Sequence, residues 1–283
     1  MRWLVMADIH GNMVALEAVL RSEAAQDCDG AISLGDHTNF GPESRAVQLR
    51  LEEIGAIMLR GNHEDRFARL NTPEFAGYNW RSLHWTHQQL AGLNTDYPVD
   101  YRHGSFLFTH GTPGDPYHLI YPPDLPPVLA ALPEGVTHLF SGHSHESWLC
   151  HIDGKTACNP GSLGMREDNV PCSAPFAVLE EQDGRVTITR HAVPYDADEI
   201  SRRFITTGLA KIAPEMSRVV LHTMLTGEYS ATLKLVKFVS AQAQSMGLTL
   251  GDEEAWRAAD PIYPWTEPIP SAQYWRQLEE KLL

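Results

Sequence analysis

The chain has 283 residues, of which 43% are hydrophobic and 20% are charged, an ordinary composition for a globular protein with a sizeable core. Its formal net charge is −14 at pH 7, and such an acidic surface repels nucleic-acid backbones, so we do not expect a nucleic-acid partner. An acidic enzyme can still accept an anionic substrate where bound cations reverse the local field.

The apolar segments and the cysteines indicate the cellular compartment in which the protein is expected. No stretch approaches the roughly 18 to 20 apolar residues that span a bilayer, so we expect no membrane partner. The N-terminal MRWLVMADIHGN lacks the long apolar segment and the small-residue cleavage site of a secretory signal. Four cysteines without a CxxC pair suit reduced thiols. These features predict a cytoplasmic protein.

The N-terminal third predicts alternating strands and helices. Apolar residues spaced around Leu16 indicate a helix with Asn12 as its N-cap, and those around Leu51 indicate a second helix. Short apolar runs predict three strands, at residues 2–7, 31–36 and 56–59. A β-α-β-α-β beginning is typical of α/β architecture.

The middle of the chain predicts a second sheet. Residues 64–100 are polar and aromatic and suggest helices with loops, and strands are predicted at 105–110 and 138–143. Four further strand-like segments follow, and the joints Asp153-Gly154 and Asp183-Gly184 indicate antiparallel hairpins. We therefore predict an α/β fold in which two mixed β-sheets pack face to face as a β-sandwich flanked by helices.

The character of the sequence changes after Pro194. Residues 198–247 have a helical pattern, and a Pro-rich connector at 261–270 precedes a terminal helix at 271–283 that Ser271 would cap. We predict two parts, a domain over residues 1–197 and a helical C-terminal extension over residues 198–283 that packs on it.

The predicted extension carries an apolar helix face with Leu233, Val236 and Phe238. Such a face would pack beside the functional site or form a subunit contact, so the sequence allows a homo-oligomer formed through the extension.

Five short segments at the predicted strand ends carry chemistry. In open α/β sheets ligands bind at the carboxyl ends of strands, so segments far apart in sequence can meet there. A lone Asp-x-His or Gly-Asp pair is usually a turn, and it is the five together, in this order, that predict a site. The segments are Asp8-x-His10, Gly35-Asp36, Gly61-Asn62-His63-Glu64, Thr109-His110-Gly111 and Gly142-His143-Ser144-His145.

Carboxylate, imidazole and amide oxygen together suit divalent Mn, Fe, Co, Ni or Zn. There are more of these groups than one tetrahedral ion needs. Two ions that share a bridging carboxylate account for the excess, and Asp36 is the natural bridge.

The motifs D-x-H-G-N, G-D-x(n)-G-P, G-N-H-E, T-H-G and G-H-S-H, followed by Asn159-Pro160-Gly161-Ser162, resemble the calcineurin-like metallophosphoesterase superfamily over about residues 1–195. Within it, HGTPGDP (110–116) and NPGSLG (159–164) are similar to a bacterial group of small phosphodiesterases and asymmetric diadenosine-tetraphosphate-hydrolase-like enzymes.

The resemblance implies a role for each residue. His63 would face the leaving group without binding metal, and Glu64, in place of the more usual Asp, could orient it. Asp36, Asn62 and His63 would act in catalysis. The first metal would be held by Asp8, His10, Asp36 and His145, and the second by Asp36, Asn62, His110 and His143.

Three positions depart from the family pattern. His37 follows Asp36, where it could support a ligand, act as a further ligand, or be a buried, hydrogen-bonded histidine. Gly114 stands where related loops carry Arg. Arg166 matches a substrate-binding Arg but could equally be a structural, exposed one.

The resemblance implies a metal-dependent phosphoesterase in which a hydroxide bridging two metals attacks a phosphodiester or phosphomonoester of a small, nucleotide-type substrate. Aromatic and basic residues after His63 could stack on a base and bind a second phosphate, or could be core aromatics and solvated charges: Arg66, Arg69, Tyr78 and Trp80. The alternative function is a metal-dependent binding or regulatory protein without turnover on the same scaffold.

Overall fold

A computed structural model of the chain describes residues 1–269 and 273–282. Two five-stranded sheets are built from ten strands: β1 (Arg2–Met6), β2 (Gly30–Ser33), β3 (Ile57–Met58), β4 (Asp100–His103), β5 (Phe106–Thr109), β6 (His138–Phe140), β7 (Trp148–Ile152), β8 (Lys155–Asn159), β9 (Ser173–Gln182) and β10 (Arg185–Pro194).

Both sheets are mixed. The first has the order β10-β9-β1-β2-β3, with β1, β2 and β3 parallel and β9 antiparallel to β1. The second has the order β4-β5-β6-β8-β7, with β5, β6 and β8 parallel and both edge strands antiparallel. The predicted fold class, two packed mixed sheets flanked by helices, is confirmed.

The two predicted hairpins are confirmed, but one lies in the other sheet. Asp153-Gly154 joins β7 to β8, and Asp183-Gly184 joins β9 to β10, all four residues with positive φ, which suits the tight hairpin turn. The β9–β10 hairpin was expected in the second sheet, yet β9 pairs with β1 in the first. β9 lies between β10 and β1 in that sheet, and most of its residues are buried.

Eleven α-helices lie among the described residues: α1 (Met13–Arg21), α2 (Ser44–Glu53), α3 (Asn62–Phe67), α4 (Arg81–Gln89), α5 (Leu125–Ala130), α6 (Ala197–Thr206), α7 (Leu209–Ile212), α8 (Pro214–Thr226), α9 (Ser230–Ser245), α10 (Glu253–Ala259) and α11 (Tyr274–Leu282). The predicted cap of α1 is present, since Asn12 Oδ1 accepts from the Ala15 N–H at 3.0 Å. The predicted cap Ser271 lies outside the described residues. Within the described ranges, every helix is too short or too polar to cross a bilayer.

The space between the sheets is filled by apolar side chains of the inner strands. Val5 and Ile32 of the first sheet meet Phe106, Phe108 and Phe140 of the second, and the Phe108 and Phe140 rings stack at 4.9 Å. Alternate residues of β1 point the other way, toward α1. Each inner strand is therefore covered on both sides, and its carboxyl end is held rigidly at one edge of the sandwich.

The C-terminal helices share this core. Phe204 of α6 and Val220 of α8 belong to the same buried cluster as Leu16 of α1 and Phe176 of β9. Helices α9 and α10 form a further cluster around Trp256. The boundary at residue 197 stays a prediction, but the extension is packed against the sandwich through a continuous apolar interface.

Candidate metal centre

The seven predicted ligand residues meet at one edge of the sandwich. The carboxyl ends of β1, β2, β5 and β6 and the first residue of α3 converge there, as parallel strands require. Three groups of side chains each bring their ligand atoms within 4.8 Å of one another: Asp8, His10 and His145; His10, Asp36 and His63; and Asp36, His110 and His143.

The backbone is strained where it delivers these side chains. Asp8, His10, Asp36, His143 and His145 all have φ between 48° and 65°. This left-handed conformation costs an ordinary residue about 1 kcal/mol or more and persists where the surrounding structure demands it. His143 and His145 were expected at and after the end of a strand, sharing one face, but β6 ends at Phe140 and both lie in the following loop.

Two glycines allow the strand ends to approach. A Cβ on Gly61 would lie 2.1 Å from Asp36 Oδ1, and one on Gly35 would lie 2.6 Å from the Gly61 nitrogen. Gly35 also has a φ of +105°. The Gly-Asp and Gly-Asn pairs therefore allow Asp36 and Asn62 to sit side by side.

Each of four imidazoles is anchored through one nitrogen to a backbone carbonyl. Because a carbonyl oxygen only accepts hydrogen bonds, the anchored nitrogen must carry the hydrogen. In a neutral ring the second nitrogen then has a free lone pair. The anchors are His10 Nδ1 to Thr38 O (3.4 Å), His110 Nδ1 to Leu34 O (3.0 Å), His143 Nε2 to Tyr117 O (3.1 Å) and His145 Nδ1 to Met165 O.

The free nitrogens and the carboxylates face one another. His10 Nε2 lies 3.2 Å from His145 Nε2, and Asp8 Oδ1, 3.5 Å from His145 Nε2, is buried without a hydrogen-bond donor among the described residues. Acceptors that converge in a buried space repel one another unless a cation lies between them. These nitrogen and carboxylate ligand atoms therefore suit a divalent metal ion.

The Asn62 amide supports the same interpretation. One end lies 2.8 Å from Asp36 Oδ2 and 3.2 Å from both His110 Nε2 and His143 Nδ1. Without a cation this end has to be the NH₂ group, which donates to Asp36 while the oxygen accepts from Arg66 Nη2 at 3.0 Å. With a cation present, an amide oxygen at this place is a suitable ligand.

Burial and charge shift the pKa values of these groups. Burial alone would lower the pKa of His110, but the charge and hydrogen bond of Asp36 and the charge of Asp8 raise it to about 9. Burial would raise the pKa of Asp36, yet His110 and His63 hold it well below its usual range. Burial lowers the pKa values of His10 and His143 to about 4. Without metal, an imidazolium at His110 balances the buried carboxylates.

Comparison with known proteins identifies the family. The model of the calcineurin-like phosphoesterase superfamily domain matches residues 1–184. The chain belongs to this superfamily. The resemblance inferred from the motifs is confirmed, and membership identifies the phosphoesterase as a hydrolase. Together with the His and Asp clusters, it points to divalent metal ions as cofactors.

Similar proteins cover most of the chain. A metallophosphoesterase from Sphaerobacter thermophilus superposes with a TM-score of 0.64 at 25% identity, over 80% of this chain and 100% of that one. The hypothetical protein PH1004 from Pyrococcus horikoshii OT3 shares the fold, with a TM-score of 0.65 at 18% identity over 80% and 98% of the two chains. The uncharacterized protein MJ0912 of Methanocaldococcus jannaschii is 22% identical over 227 residues, which are 71% of this chain and 90% of that protein.

Glu64 of the phosphoesterase holds the Asp36 loop, whereas we expected it to orient His63. Its Oε2 accepts from the Asp36 and Gly61 N–H groups at 2.8 and 3.0 Å. Its Oε1 accepts from the Thr38 N–H at 3.0 Å and the Thr38 hydroxyl at 2.6 Å. Since α3 begins at Asn62, Glu64 lies in its first turn, where a carboxylate reaches back to the preceding loop.

His63 is positioned by residues that the sequence did not point to. Asn39 Nδ2 lies 2.6 Å from His63 Nδ1, and the Phe40 ring packs 4.6 Å from the imidazole. On the other side Arg66 Nη1 lies 3.2 Å from His63 Nε2. Burial lowers the pKa of His63 well below its usual value, so the ring is neutral at pH 7. Asn39 and Phe40 lie just beyond the Gly-Asp motif, and that proximity was the only signal available.

Two of the residues that depart from the family pattern, His37 and Arg166, lie outside the ligand groups. His37 is buried beside Glu64, with its Nδ1 3.8 Å from Oε1, and packs its edge on Tyr97 at 4.8 Å. It belongs to none of the ligand groups among the described residues. Arg166 is buried and pairs with Asp168, and its side chain is not among those that line the cavity over the ligand atoms. Neither residue touches the convergent ligand atoms, and their predicted roles remain predictions.

A cavity of about 400 Å³ opens over the ligand atoms. Asp36, Asn62, His63, His143 and His145 line its floor. Of the residues after His63, Arg66 and Trp80 line the cavity, with the Arg66 guanidinium carbon 5.6 Å from the Trp80 ring centre.

Two others lie elsewhere. The Tyr78 hydroxyl donates to Glu215 at 3.0 Å, and Arg69 is exposed, with its Nη2 donating to the Tyr117 hydroxyl at 2.9 Å. The structure therefore brings only part of the predicted substrate set to the site.

Proposed function

We propose that the chain is a dinuclear-metal phosphoesterase that hydrolyses phosphodiester or phosphomonoester bonds of small nucleotide-type substrates. The observation that carries the proposal is the set of three overlapping ligand groups, of which two share His10 and two share Asp36, with acceptor atoms facing one another. Asp8, His10, Asp36 and His145 would hold one ion. Asp36, Asn62, His110 and His143 would hold the other. Mn, Fe, Co, Ni and Zn all suit these ligands.

When bound, the ions would lower the pKa of a water molecule and neutralise charge on the phosphoryl oxygens. The chain's own residues would then position the ester. Arg66 reaches both Asn62 and His63, so its guanidinium is placed to contact a phosphoryl oxygen at the cavity floor. His63, held by Asn39 and Phe40, presents a neutral imidazole at the cavity floor whose Nε2 accepts from Arg66 and so orients that guanidinium toward the ester.

The subgroup similarity to small phosphodiesterases and asymmetric diadenosine-tetraphosphate-hydrolase-like enzymes supports nucleotide-type substrates. The cavity supports small ones, since about 400 Å³ is within the usual size of a small-molecule site. A homo-oligomer formed through the extension and a cytoplasmic location remain predictions.

The test is hydrolysis of bis-p-nitrophenyl phosphate by the full chain with Mn²⁺ added. We expect turnover that is abolished by chelation and by Asp36→Asn, since Asp36 belongs to two of the three ligand groups. The matched control is Asp183→Asn, which changes an exposed carboxylate in the β9–β10 turn. A chain that binds two metals yet turns over neither this diester nor p-nitrophenyl phosphate would instead favour the non-catalytic binding function.

A further inference from the structure

The cavity above the ligand atoms has a second wall that belongs to the C-terminal extension. Met216 of α8, Tyr229 of the α8–α9 connection, and Thr232, Leu233 and Val236 of α9 all line it. No motif in the sequence points to a ligand or catalytic role for any of these residues. The wall is apolar, whereas the floor is built from carboxylates, imidazoles and an amide.

The extension is fastened to the loop that positions His145. The Tyr229 N–H donates to Arg166 O at 2.9 Å, and the Asn169 N–H donates to Gly227 O at 3.0 Å. The Ser230 N–H donates to Glu167 Oε2 at 2.6 Å. The same loop supplies the Met165 carbonyl that holds His145 Nδ1. The wall is therefore held in a defined position relative to the ligand atoms.

Tyr229 brings the extension into contact with the floor. Its ring centre lies 4.4 Å from that of His145. The ring at this place closes one side of the cavity beside the ligand atoms.

Two further residues of the wall, one exposed and one buried, suit a ligand. Leu233 is 51% exposed although it faces the cavity, an uncommon exposure for a large apolar side chain beside a charged floor. Thr232 is 5% exposed, and its Oγ1 has no hydrogen-bond partner among the described residues. Trp80 lines the same cavity from outside the extension. Apolar surface with one unsatisfied hydroxyl suits a flat ring that has polar edges.

We infer that this wall and Trp80 together form a seat for a nucleobase, in which Trp80, Leu233 and Val236 contact the base and the buried, unpartnered Thr232 hydroxyl lies beside its edge. The inference rests on the proposed function, in which the phosphoryl group lies on the floor of the same cavity. Arg66 joins the two regions, since it contacts His63 on the floor and the ring of Trp80 on the wall. The extension thereby selects the substrate, and the strand ends hold its phosphate.

The experiment measures binding of three probes to the full chain loaded with Mn²⁺, by isothermal titration calorimetry. Inorganic phosphate reports the floor, ribose 5-phosphate adds the sugar, and AMP adds the base. We expect AMP to bind about 10-fold or more tightly than ribose 5-phosphate, since stacking and apolar contact favour the base. Leu233→Asn should bring this ratio close to one and leave phosphate binding unchanged.

The matched control is Leu49→Asn, because Leu49 is also a helical leucine of similar exposure, 42%, and lies on α2 outside the cavity lining. It should keep the AMP to ribose 5-phosphate ratio of the unmodified chain. Thr232→Val should lower that ratio by a few fold, since it removes one hydrogen bond and keeps the shape.

Several outcomes overturn the inference. Equal affinity for AMP and ribose 5-phosphate, or an affinity ratio of these two probes that Leu233→Asn does not change, excludes the nucleobase seat. If phosphate still binds and the diester is still hydrolysed, the proposed function stands. Tighter binding of butyl phosphate than of AMP would show that the wall accepts an alkyl chain. Loss of phosphate binding and of turnover in the metal-loaded unmodified chain would overturn the proposed function itself.

Discussion

Nε2 of His10 and Nε2 of His145 lie 3.2 Å apart, while Nδ1 of each ring is held by a backbone carbonyl. Two neutral imidazoles in this arrangement point lone pairs at each other, and two protonated ones would point hydrogens at each other. Neither state is favourable in a buried space. One proton shared between the two nitrogens, or one metal ion bound by both lone pairs, removes the conflict.

We expect two metal ions per chain, about 3.5 to 4 Å apart and bridged by Asp36. The seven candidate ligand residues are more than one tetrahedral ion needs. Elemental analysis and anomalous scattering from crystals measure the number and spacing. A fully occupied protein with one ion per chain and no vacant second site would contradict this prediction.

Metal binding should raise the melting temperature by several degrees. An ion that binds only the folded chain at 1,000 times its dissociation constant contributes about 4 kcal/mol. Differential scanning fluorimetry with Mn²⁺ and with chelator measures the shift. His145→Ala should reduce it, whereas His151→Ala, which removes an exposed histidine of β7, should not. An equal shift in both variants would argue against His145 as a ligand.

His63→Ala should keep both metals and lose rate, about 10²-fold to 10⁴-fold if it transfers a proton. As a proton donor it would matter more for a nucleotide ester than for a p-nitrophenyl ester, because p-nitrophenolate leaves readily unprotonated. Its lowered pKa instead favours a hydrogen-bonding role, with similar losses on both esters. The values of kcat/KM for both esters distinguish the roles.

Metal content has to be measured on the same His63→Ala protein. His63 also groups with His10 and Asp36 in a possible ligand set. Loss of an ion would show that His63 is a ligand, contrary to its predicted role. Asp36→Asn, in contrast, should lose both activities together.

Glu64→Ala should lower the free energy of unfolding by about 3 kcal/mol or more, because it leaves buried backbone donors of Asp36, Thr38 and Gly61 unpaired. Metal affinity should fall as well, since the loop carrying Asp36 loses its support. Urea denaturation of the metal-free protein measures the first effect and calorimetry the second. Glu254→Ala, an exposed residue of α10, is the control. Unchanged stability of Glu64→Ala would remove the structural role assigned to this carboxylate.

Cutting the chain after Pro194 should make it insoluble. Phe204 and Val220 would no longer cover the buried cluster around Leu16 and Phe176. Soluble yield and size-exclusion chromatography of the truncated and full chains measure the effect. A soluble truncated chain with unchanged size, metal content and preference for AMP would contradict both the shared core and the nucleobase seat. The size of the full chain also tests the predicted homo-oligomer.

The sequence by itself determined the fold class and the candidate ligand set. Strand-length apolar runs each ended in a Gly, Asp, Asn or His motif, and parallel strands carry their carboxyl ends to one edge, so Asp8, Asp36 and His110 could be expected to meet. Local turn chemistry likewise predicted both Asp-Gly hairpins and the Asn12 cap. These features depend on neighbours in the chain or on a general property of sheets.

Only the tertiary structure decided what surrounds the ligands. The pairing of β9 with β1, the Asn39 contact to His63, the Glu64 support of the Asp36 loop and the Tyr229 ring on His145 join residues whose separation in sequence carries no periodic signal. Such contacts follow from how the sheets and helices pack. Because many different sequences are compatible with the same packing, no sequence pattern identifies these contacts. The extension's place over the cavity was therefore not predictable from its apolar face alone, because that face suits any apolar partner.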